Sequence, residues 1–131
     1  MRLNSDLVTL CDAVLDGHIA DIDVTWDKRC SLGVVMASAG YPDLYDIGLP
    51  IDGLDAPEAD TVKVFHAGTH DRDGQIHTSG GRVLCVTALG SDIESARESV
   101  YSRIKSIHWQ GSFWRADIGQ RALARQSTPH T

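Results

Sequence analysis

The chain has 131 residues, with 12 Lys and Arg against 18 Asp and Glu, a net charge of −6, three cysteines and 42% hydrophobic residues. This is the length of one domain, with the composition of a folded protein rather than a disordered one. No apolar run approaches the roughly 20 residues of a membrane span, and the acidic balance argues against a nucleic-acid binder. The three scattered cysteines form neither a disulfide framework nor a zinc clip, so we expect reduced thiols in a cytoplasmic protein.

The net charge is unevenly distributed along the chain. Residues 1–96 carry six basic and 16 acidic side chains, whereas residues 97–131 carry six basic and two acidic ones. A basic end on an acidic body can hold a small anion such as a phosphate. A solvated helix face followed by a frayed tail explains the same charges, so composition leaves both interpretations open.

The first predicted element is a helix over residues 3–17, which we expect Gly17 to end. Its apolar residues recur at helical spacing and form one stripe, made of Leu3, Leu7, Leu10, Cys11 and Val14. Because this pattern already begins at the third residue, two explanations stay open: a helix capped at Asn4 or Ser5, or a chain cut from a longer protein. Residues 22–27 then alternate in the manner of a short strand.

The middle of the chain predicts strands separated by turns. Residues 30–42 are rich in β-forming residues and end in a Gly-Tyr-Pro turn. Residues 41–61 are rich in Gly, Pro and Asp, and they predict a long loop with a short strand around Ile51. One long strand follows over 61–70, and an Asp-Gly turn returns the chain as a second strand over 75–78.

The second half of the chain predicts a strand followed by the main helix. The near-continuous apolar run at 82–90 is typical of a central strand covered on both faces. Ser91 and Glu94 predict a capping box. The helix behind it turns five apolar residues inward: Ile93, Ala96, Val100, Ile104 and Ile107. Residues 112–114 suit a short strand that completes a strand–helix–strand unit, and residues 117–125 predict a final helical turn or two. The predicted class is α+β, a small, mainly antiparallel sheet with one main helix packed on it.

The Asp-rich turn and the histidines near it do not predict a metal site. Asp71 and Asp73 fit two positions of a calcium loop, but the bidentate glutamate and the flanking helices are missing. His66 and His70 lie on a strand, roughly 13 Å apart, so they cannot chelate one ion. His70 is expected to face His77 across the hairpin, and two imidazoles fall short of the three or four ligands of a metal site.

Residues 79–82, Ser-Gly-Gly-Arg, leave two interpretations open. Gly80 and Gly81 expose backbone amides and permit positive φ, so together with Arg82 they can form an anion-binding nest. A strand connection that needs positive φ explains the same two glycines.

Residues 114–121, Trp-Arg-Ala-Asp-Ile-Gly-Gln-Arg, form a second candidate anion site. Arg115 and Arg121 lie on either side of Asp117, which can cap a following helix and hold an arginine fork in place. A phosphate or a carboxylate suits these arginines. The alternative interpretation is a cluster of salt bridges on the surface, which consists of the same residue types.

Three long segments carry a resemblance to a known enzyme family. They are SLGVVMASAGYP at 31–42, VKVFHAGTHDRDGQIHTSGGRVLCVTALG at 62–90 and IHWQGSFWRADIGQRALAR at 107–125. In their residues, order and spacing they resemble the C-terminal part of phosphoribosylamine–glycine ligase. The resemblance extends from residue 1 to residue 125 or so.

The resemblance implies that the whole protein is an ATP-dependent ligase. It implies an enzyme of purine synthesis that joins glycine to 5-phosphoribosylamine through a glycyl phosphate, with magnesium on the phosphates. It also implies that the ATP and magnesium sites lie upstream of the position that matches Met1. This chain is therefore expected to be a fragment that binds neither group and has no catalytic or metal-binding residue of its own.

The resemblance also divides the chain into two parts. Residues 1–24 correspond to the helix and linker that end the family's ATP-grasp domain. Residues 25–131 correspond to its C-terminal domain, a barrel-like β unit called a rudimentary hybrid motif, which closes one side of the substrate cleft. The implied partners are the ATP-grasp domain of the same polypeptide and the substrates phosphoribosylamine and glycine, and we expect a monomer. The alternative is a freestanding module that binds phosphosugars or another protein without catalysis.

Two motifs carry the family's site residues onto this chain. The run RADIGQRA resembles the family signature Arg-x-Asp-Ile-Gly-x-Arg-Ala and matches it at Arg115, Asp117, Gly119 and Arg121. By analogy with related enzymes, Arg115 and Arg121 are implied to bind the sugar phosphate of the substrate. Ser-Gly-Gly-Arg matches another family block, which implies that Gly80, Gly81 and Arg82 border the cleft. A purely structural turn is the alternative there.

Overall fold

The computed structural model describes residues 1–126, and residues 127–131, the end of the predicted domain 25–131, lie outside that range. The helices are α1 (Leu7–Leu15), α2 (Ile93–Ile104) and α3 (Gln120–Gln126), with a short 3-10 helix at Ile19–Asp21. The strands are β1 (Cys30–Ala37), β2 (Val62–His66), β3 (Thr69–Arg72), β4 (Gln75–Thr78), β5 (Arg82–Gly90) and β6 (Phe113–Trp114). Within residues 1–126, no helix combines the length and the apolar character that crossing a membrane requires.

Strand β5 lies inside a four-stranded sheet of order β2-β5-β1-β6, as its apolar sequence predicts. It pairs antiparallel with β1, where Gly90 is opposite Cys30, and with β2, where Ala88 is opposite Val62. Strands β3 and β4 form a separate hairpin. The predicted α+β class and mainly antiparallel sheet are confirmed, and the main sheet is open, with β2 and β6 at its edges.

Helix α2 packs on β5 and β1 and supplies one side of the core. Ala96, Val100 and Ile104 are buried, as helical spacing predicts, and Ile93 packs against them from a partly buried position. Ile107 is also buried, but it lies beyond the end of α2, so the predicted helix was too long. The sheet supplies the other side with alternate residues, among them Leu32, Val34, Met36, Leu84 and Val86. Burial of each large apolar side chain contributes roughly 1.5–3 kcal/mol, so this interface is the main source of stability.

The chain crosses the sheet from β5 through α2 to β6, which confirms the predicted strand–helix–strand unit. Strand β6 pairs antiparallel with β1, Trp114 opposite Met36. Because β1 is also antiparallel to β5, strands β5 and β6 run parallel with β1 between them. The crossover brings the loop after β6, residues 115–119, against α2.

The single strand predicted over 61–70 is wrong, because the chain turns between β2 and β3 at Ala67 and Gly68. A Cβ on Gly68 would lie 2.7 Å from the carbonyl oxygen of Arg82 and 2.8 Å from the Cα of Gly80. The two backbones therefore approach more closely than a side chain at Gly68 would allow. Strand β2 joins the main sheet and β3 joins the hairpin.

Helix α1 begins later than its apolar pattern predicts. Asp6 is the N-cap, and its Oδ1 accepts a hydrogen bond from the Thr9 amide at 2.8 Å. Asn4 and Ser5 are therefore not the caps, and Leu3 lies outside the helix. A carboxylate at this position is favourable because it meets the positive end of the helix dipole.

The strand predicted over 22–27 is an extended segment with an isolated bridge, Leu3 opposite Trp26. The Asn4 amide also donates to the Thr25 carbonyl at 3.0 Å. The N-terminal segment therefore closes on itself through its own backbone around α1. The bridge and this hydrogen bond join residues before α1 to residues after it. The alternation of apolar and polar residues within 22–27 could not predict such a pairing.

Helix α2 is capped one residue later than predicted. Asp92 accepts from the Ser95 amide at 2.8 Å, and Ser95 Oγ accepts from the Asp92 amide at 3.3 Å. The capping box consists of these two residues, and the prediction of Ser91 with Glu94 is wrong. The hydrogen bond from the Ser95 amide stabilises the charged carboxylate, which lowers the pKa of Asp92.

The hairpin turn forms at Asp73 and Gly74, as predicted, with φ values of 54° and 86°. His70 faces His77 across β3 and β4, and the two rings stack with centroids 5.7 Å apart. Among residues 1–126, no three His, Cys, Asp or Glu side chains are grouped so that they can hold a metal ion.

The long loop over 41–61 is held near its middle by backbone bridges to two other segments. Pro50 and Asp52 form isolated bridges with β4 and with His108 respectively. Ile51, between them, is buried in the core. The short strand predicted around Ile51 is thus present as single bridges.

Candidate functional site

A cavity of about 310 Å³ opens where β1, β6 and the start of β5 meet. Most of its lining is apolar or aromatic and includes Gly33, Val35, Ala37, Tyr41, Phe113, Trp114 and Ile118. Arg82 and Arg115 also line it. An apolar cavity with a few polar groups at its edge is the usual form of a small-molecule site, and the two arginines there are candidate ligands for an anionic group.

Arg82 lies at the edge of this cavity and has no partner for its side chain among the described residues. It is the first residue of β5, is exposed, and lies opposite Ala37, where the register of β1 shifts. Its side chain makes no hydrogen bond or ion pair with another described residue. The five N–H donors of its guanidinium are therefore free to bind a ligand.

Arg115 is oriented by Asp117 on the loop between β6 and α3. Nε donates to Oδ1 at 2.9 Å and Nη2 donates to Oδ2 at 2.6 Å. The hydrogen bond from Arg115 lowers the pKa of Asp117 below its ordinary value, because it stabilises the charged carboxylate. Both side chains are exposed, so this pair contributes little to stability. Its effect is to fix the direction of a guanidinium whose Nη1 donors bond to no other described residue.

Arg121 lies on α3 and does not line the cavity. The hydrogen bond from Arg115 is the main cause of the low pKa of Asp117, and the charge of Arg121 adds to it. Arg121 is therefore near the Arg115–Asp117 pair. The structure brings Arg82 and Arg115 together at one cavity and places Arg121 beside it.

Gly80 and Gly81 do not have the positive φ that both open interpretations of Ser-Gly-Gly-Arg used to explain these glycines. Close packing explains both glycines instead. A Cβ on Gly81 would overlap the ring of Tyr41 and lie 2.9 Å from Cε1 of Tyr45, and one on Gly80 would lie 3.3 Å from the Cα of Gly68. Gly81 thus seats the ring of Tyr41, which lines the cavity.

Sequence reasoning missed two aromatic residues of the cavity, Tyr41 and Phe113. The sequence assigns Tyr41 to a turn and Phe113 to a short strand, and neither pattern indicates a ligand. The ring of Phe113 is 42% exposed, two residues before Arg115. An aromatic residue so close to a candidate anion-binding arginine was the available signal.

Residues 31–121 match a protein family described as phosphoribosylglycinamide synthetase, C domain. Similar proteins include the phosphoribosylamine–glycine ligases of Allochromatium vinosum, 52% identical over 126 residues, and of Vibrio vulnificus, 48% identical over 126 residues. Each match covers 96% of this chain and 29% of the relative. The chain thus spans less than a third of the length of these curated relatives.

A solved structure has a similar fold. The crystal structure of phosphoribosylamine–glycine ligase from Thermotoga maritima matches with a TM-score of 0.66 and 31% identity, over 83% of this chain and 27% of that one. The family match includes Arg82 and Arg115 at the cavity and reaches Arg121. The chain belongs to the phosphoribosylglycinamide synthetase C-domain family.

Proposed function

We propose that this chain is the C-terminal domain of a phosphoribosylamine–glycine ligase. The whole ligase joins glycine to 5-phosphoribosylamine with ATP and forms glycinamide ribonucleotide in purine biosynthesis. The family match over residues 31–121 carries the proposal. Ligases that are 48% and 52% identical across 96% of this chain support it. In this proposal the domain closes one side of the substrate cleft and is inactive by itself.

In this proposal ATP and magnesium bind to the rest of the ligase. Residues 1–126 contain no group of three His, Cys, Asp or Glu side chains that can hold a metal ion. No step that uses ATP or magnesium is assigned to them. Their role is to bind and orient the phosphorylated substrate.

The exposed side of α1 supports a partner domain in the same polypeptide. Leu7 is 63% and Leu15 is 83% exposed, and Ala13 is the buried residue of this helix. An apolar stripe that is this exposed marks an interaction surface. We assign residues 1–24 to the end of the ATP-grasp domain, which covers the stripe, and residues 25–131 to the C-terminal domain.

The two arginines at the edge of the cavity suit the phosphate group that phosphoribosylamine and glycinamide ribonucleotide share. Arginine side chains bind phosphate oxygens with paired hydrogen bonds, and neither the guanidinium of Arg82 nor Nη1 of Arg115 is bonded to another described residue. We assign these two residues as phosphate ligands and Arg121 as a neighbouring positive charge. Gly81 borders the site through the ring of Tyr41 packed against it, and Gly80 precedes it in the chain.

Arg115→Ala in the whole ligase is expected to raise the KM for phosphoribosylamine about 10- to 100-fold and to leave the KM for ATP within about twofold. The reason is that a lost charge-assisted contact to phosphate weakens binding by about 1.5–3 kcal/mol. Steady-state kinetics with each substrate varied in turn measure the effect. Arg125→Ala, which removes the same charge from an exposed position on α3, is the matched control and should leave both constants unchanged. A folded Arg115→Ala enzyme with a normal KM for phosphoribosylamine refutes the assignment.

A further inference from the structure

Two side chains of α2 hold the loop between β6 and α3. Arg97 donates from Nη2 to the Ala116 carbonyl at 2.7 Å and from Nε to the Ile118 carbonyl at 3.1 Å. Tyr101 donates from its hydroxyl to the Arg115 carbonyl at 2.6 Å. Three carbonyl groups of this short loop thus accept hydrogen bonds from one helix.

Arg97 and Tyr101 lie one turn apart on α2 and support each other. The guanidinium carbon of Arg97 lies 4.8 Å from the centroid of the Tyr101 ring, within the range of a cation–π interaction. Gly119 lets the loop approach this pair, because it has a φ of 87° and a Cβ there would lie 2.7 Å from Leu32 Cδ1. The same Cβ would lie 3.5 Å from Cδ of Arg97. The path of the loop is therefore set by its contacts with α2 and β1.

We propose that Arg97 and Tyr101 are positioning residues for the phosphate site, an inference that rests on the proposed function of Arg115. Neither side chain lines the cavity, so neither would touch the ligand there. They act by fixing the backbone from which the Arg115 side chain extends. A displacement of about 1 Å in a binding group can weaken its action by up to about 100-fold, so such support has a measurable effect.

A double-mutant cycle in the whole ligase tests this role. Tyr101→Phe removes the hydroxyl and keeps the ring, and it is expected to raise the KM for phosphoribosylamine about 2- to 10-fold with the KM for ATP unchanged. In an Arg115→Ala background the same change should alter that KM by less than about twofold, because the side chain it positions is gone. Arg97→Lys keeps the charge and loses the planar fork, so it should follow the same pattern with a larger effect.

The outcomes separate this inference from the function it rests on. A normal KM in Arg115→Ala overturns the phosphate role, and the positioning role with it. If Arg115→Ala raises the KM while Tyr101→Phe and Arg97→Lys act equally in both backgrounds, the phosphate role stands and the positioning role is overturned. A lower Tm in these two variants with an unchanged KM for phosphoribosylamine also overturns the positioning role.

Discussion

Trp109→Ala is expected to lower the free energy of unfolding by about 3–5 kcal/mol, the usual cost of emptying a large buried aromatic site. The indole is 1% exposed and packs in the core cluster that also contains Ile51. The adjacent His108 exchanges two backbone hydrogen bonds with Asp52, at 2.8 and 3.0 Å. These hydrogen bonds restrain the backbone next to Trp109. The neighbouring side chains therefore cannot easily move into the cavity that the alanine variant leaves. Urea unfolding of the chain, followed by circular dichroism, measures the loss.

Two further variants control for the size and the polarity of the removed group. Nε1 of Trp109 has no hydrogen-bond partner among the described residues, so Trp109→Phe should cost clearly less than the alanine variant. Trp26 is 56% exposed, and Trp26→Ala is expected to change the free energy of unfolding by less than about 1 kcal/mol. If Trp109→Ala and Trp26→Ala lower the free energy of unfolding equally, Trp109 is not packed in the core as described.

Gly53→Ala is expected to lower the free energy of unfolding by about 2–4 kcal/mol, because left-handed strain and a steric collision add together. Gly53 has a φ of 81°, and a Cβ there would collide with the carbonyl oxygen of Ser106 and lie 2.9 Å from its carbonyl carbon. The buried Arg103 fastens the same contact, since its Nη1 donates to the Gly53 carbonyl at 2.8 Å and to Ser106 Oγ at 2.6 Å. If the alanine Cβ displaces the loop that contains Gly53, the hydrogen bond from Arg103 to the Gly53 carbonyl is lost as well. Urea unfolding measures the effect.

Gly48→Ala is the matched control for that prediction. Gly48 has a φ of 80°, but nothing lies within 4 Å of a Cβ built on it. Its substitution should therefore cost only the left-handed strain, about 1–2 kcal/mol. The difference between the two variants measures the close approach at Gly53, and a difference of zero shows that the approach is unimportant.

The parts of the fold that depend on local patterns could be predicted from the sequence. The apolar run of β5 predicts its central place, and helical spacing predicts the buried face of α2. The division of β2 from β3 could not be predicted, because it depends on Gly68 packing against Gly80. The cap at Asp92 was misplaced by one residue, because the adjacent Ser91 is an equally suitable N-cap type.

The candidate site was predictable only through its charged residues. Family-like motifs single out Arg82 and Arg115, and the structure places both at one cavity. The aromatic wall was not predictable, because Tyr41 reaches the cavity from a loop and packs on Gly81. The role of Arg97 in supporting the loop was not predicted either. An arginine on a helix surface that carries both acidic and basic residues is normally solvated.

The proposed phosphate site is tested most directly by two ligands that differ only in the phosphate, glycinamide ribonucleotide and its dephosphorylated riboside. Calorimetry on the whole ligase gives the Kd of each. Arg82→Ala and Arg115→Ala are each expected to reduce the preference for the nucleotide by about tenfold or more and to leave riboside binding nearly unchanged. A preference that is the same in the wild-type enzyme and in both variants would contradict the assignment of this cavity to the phosphate.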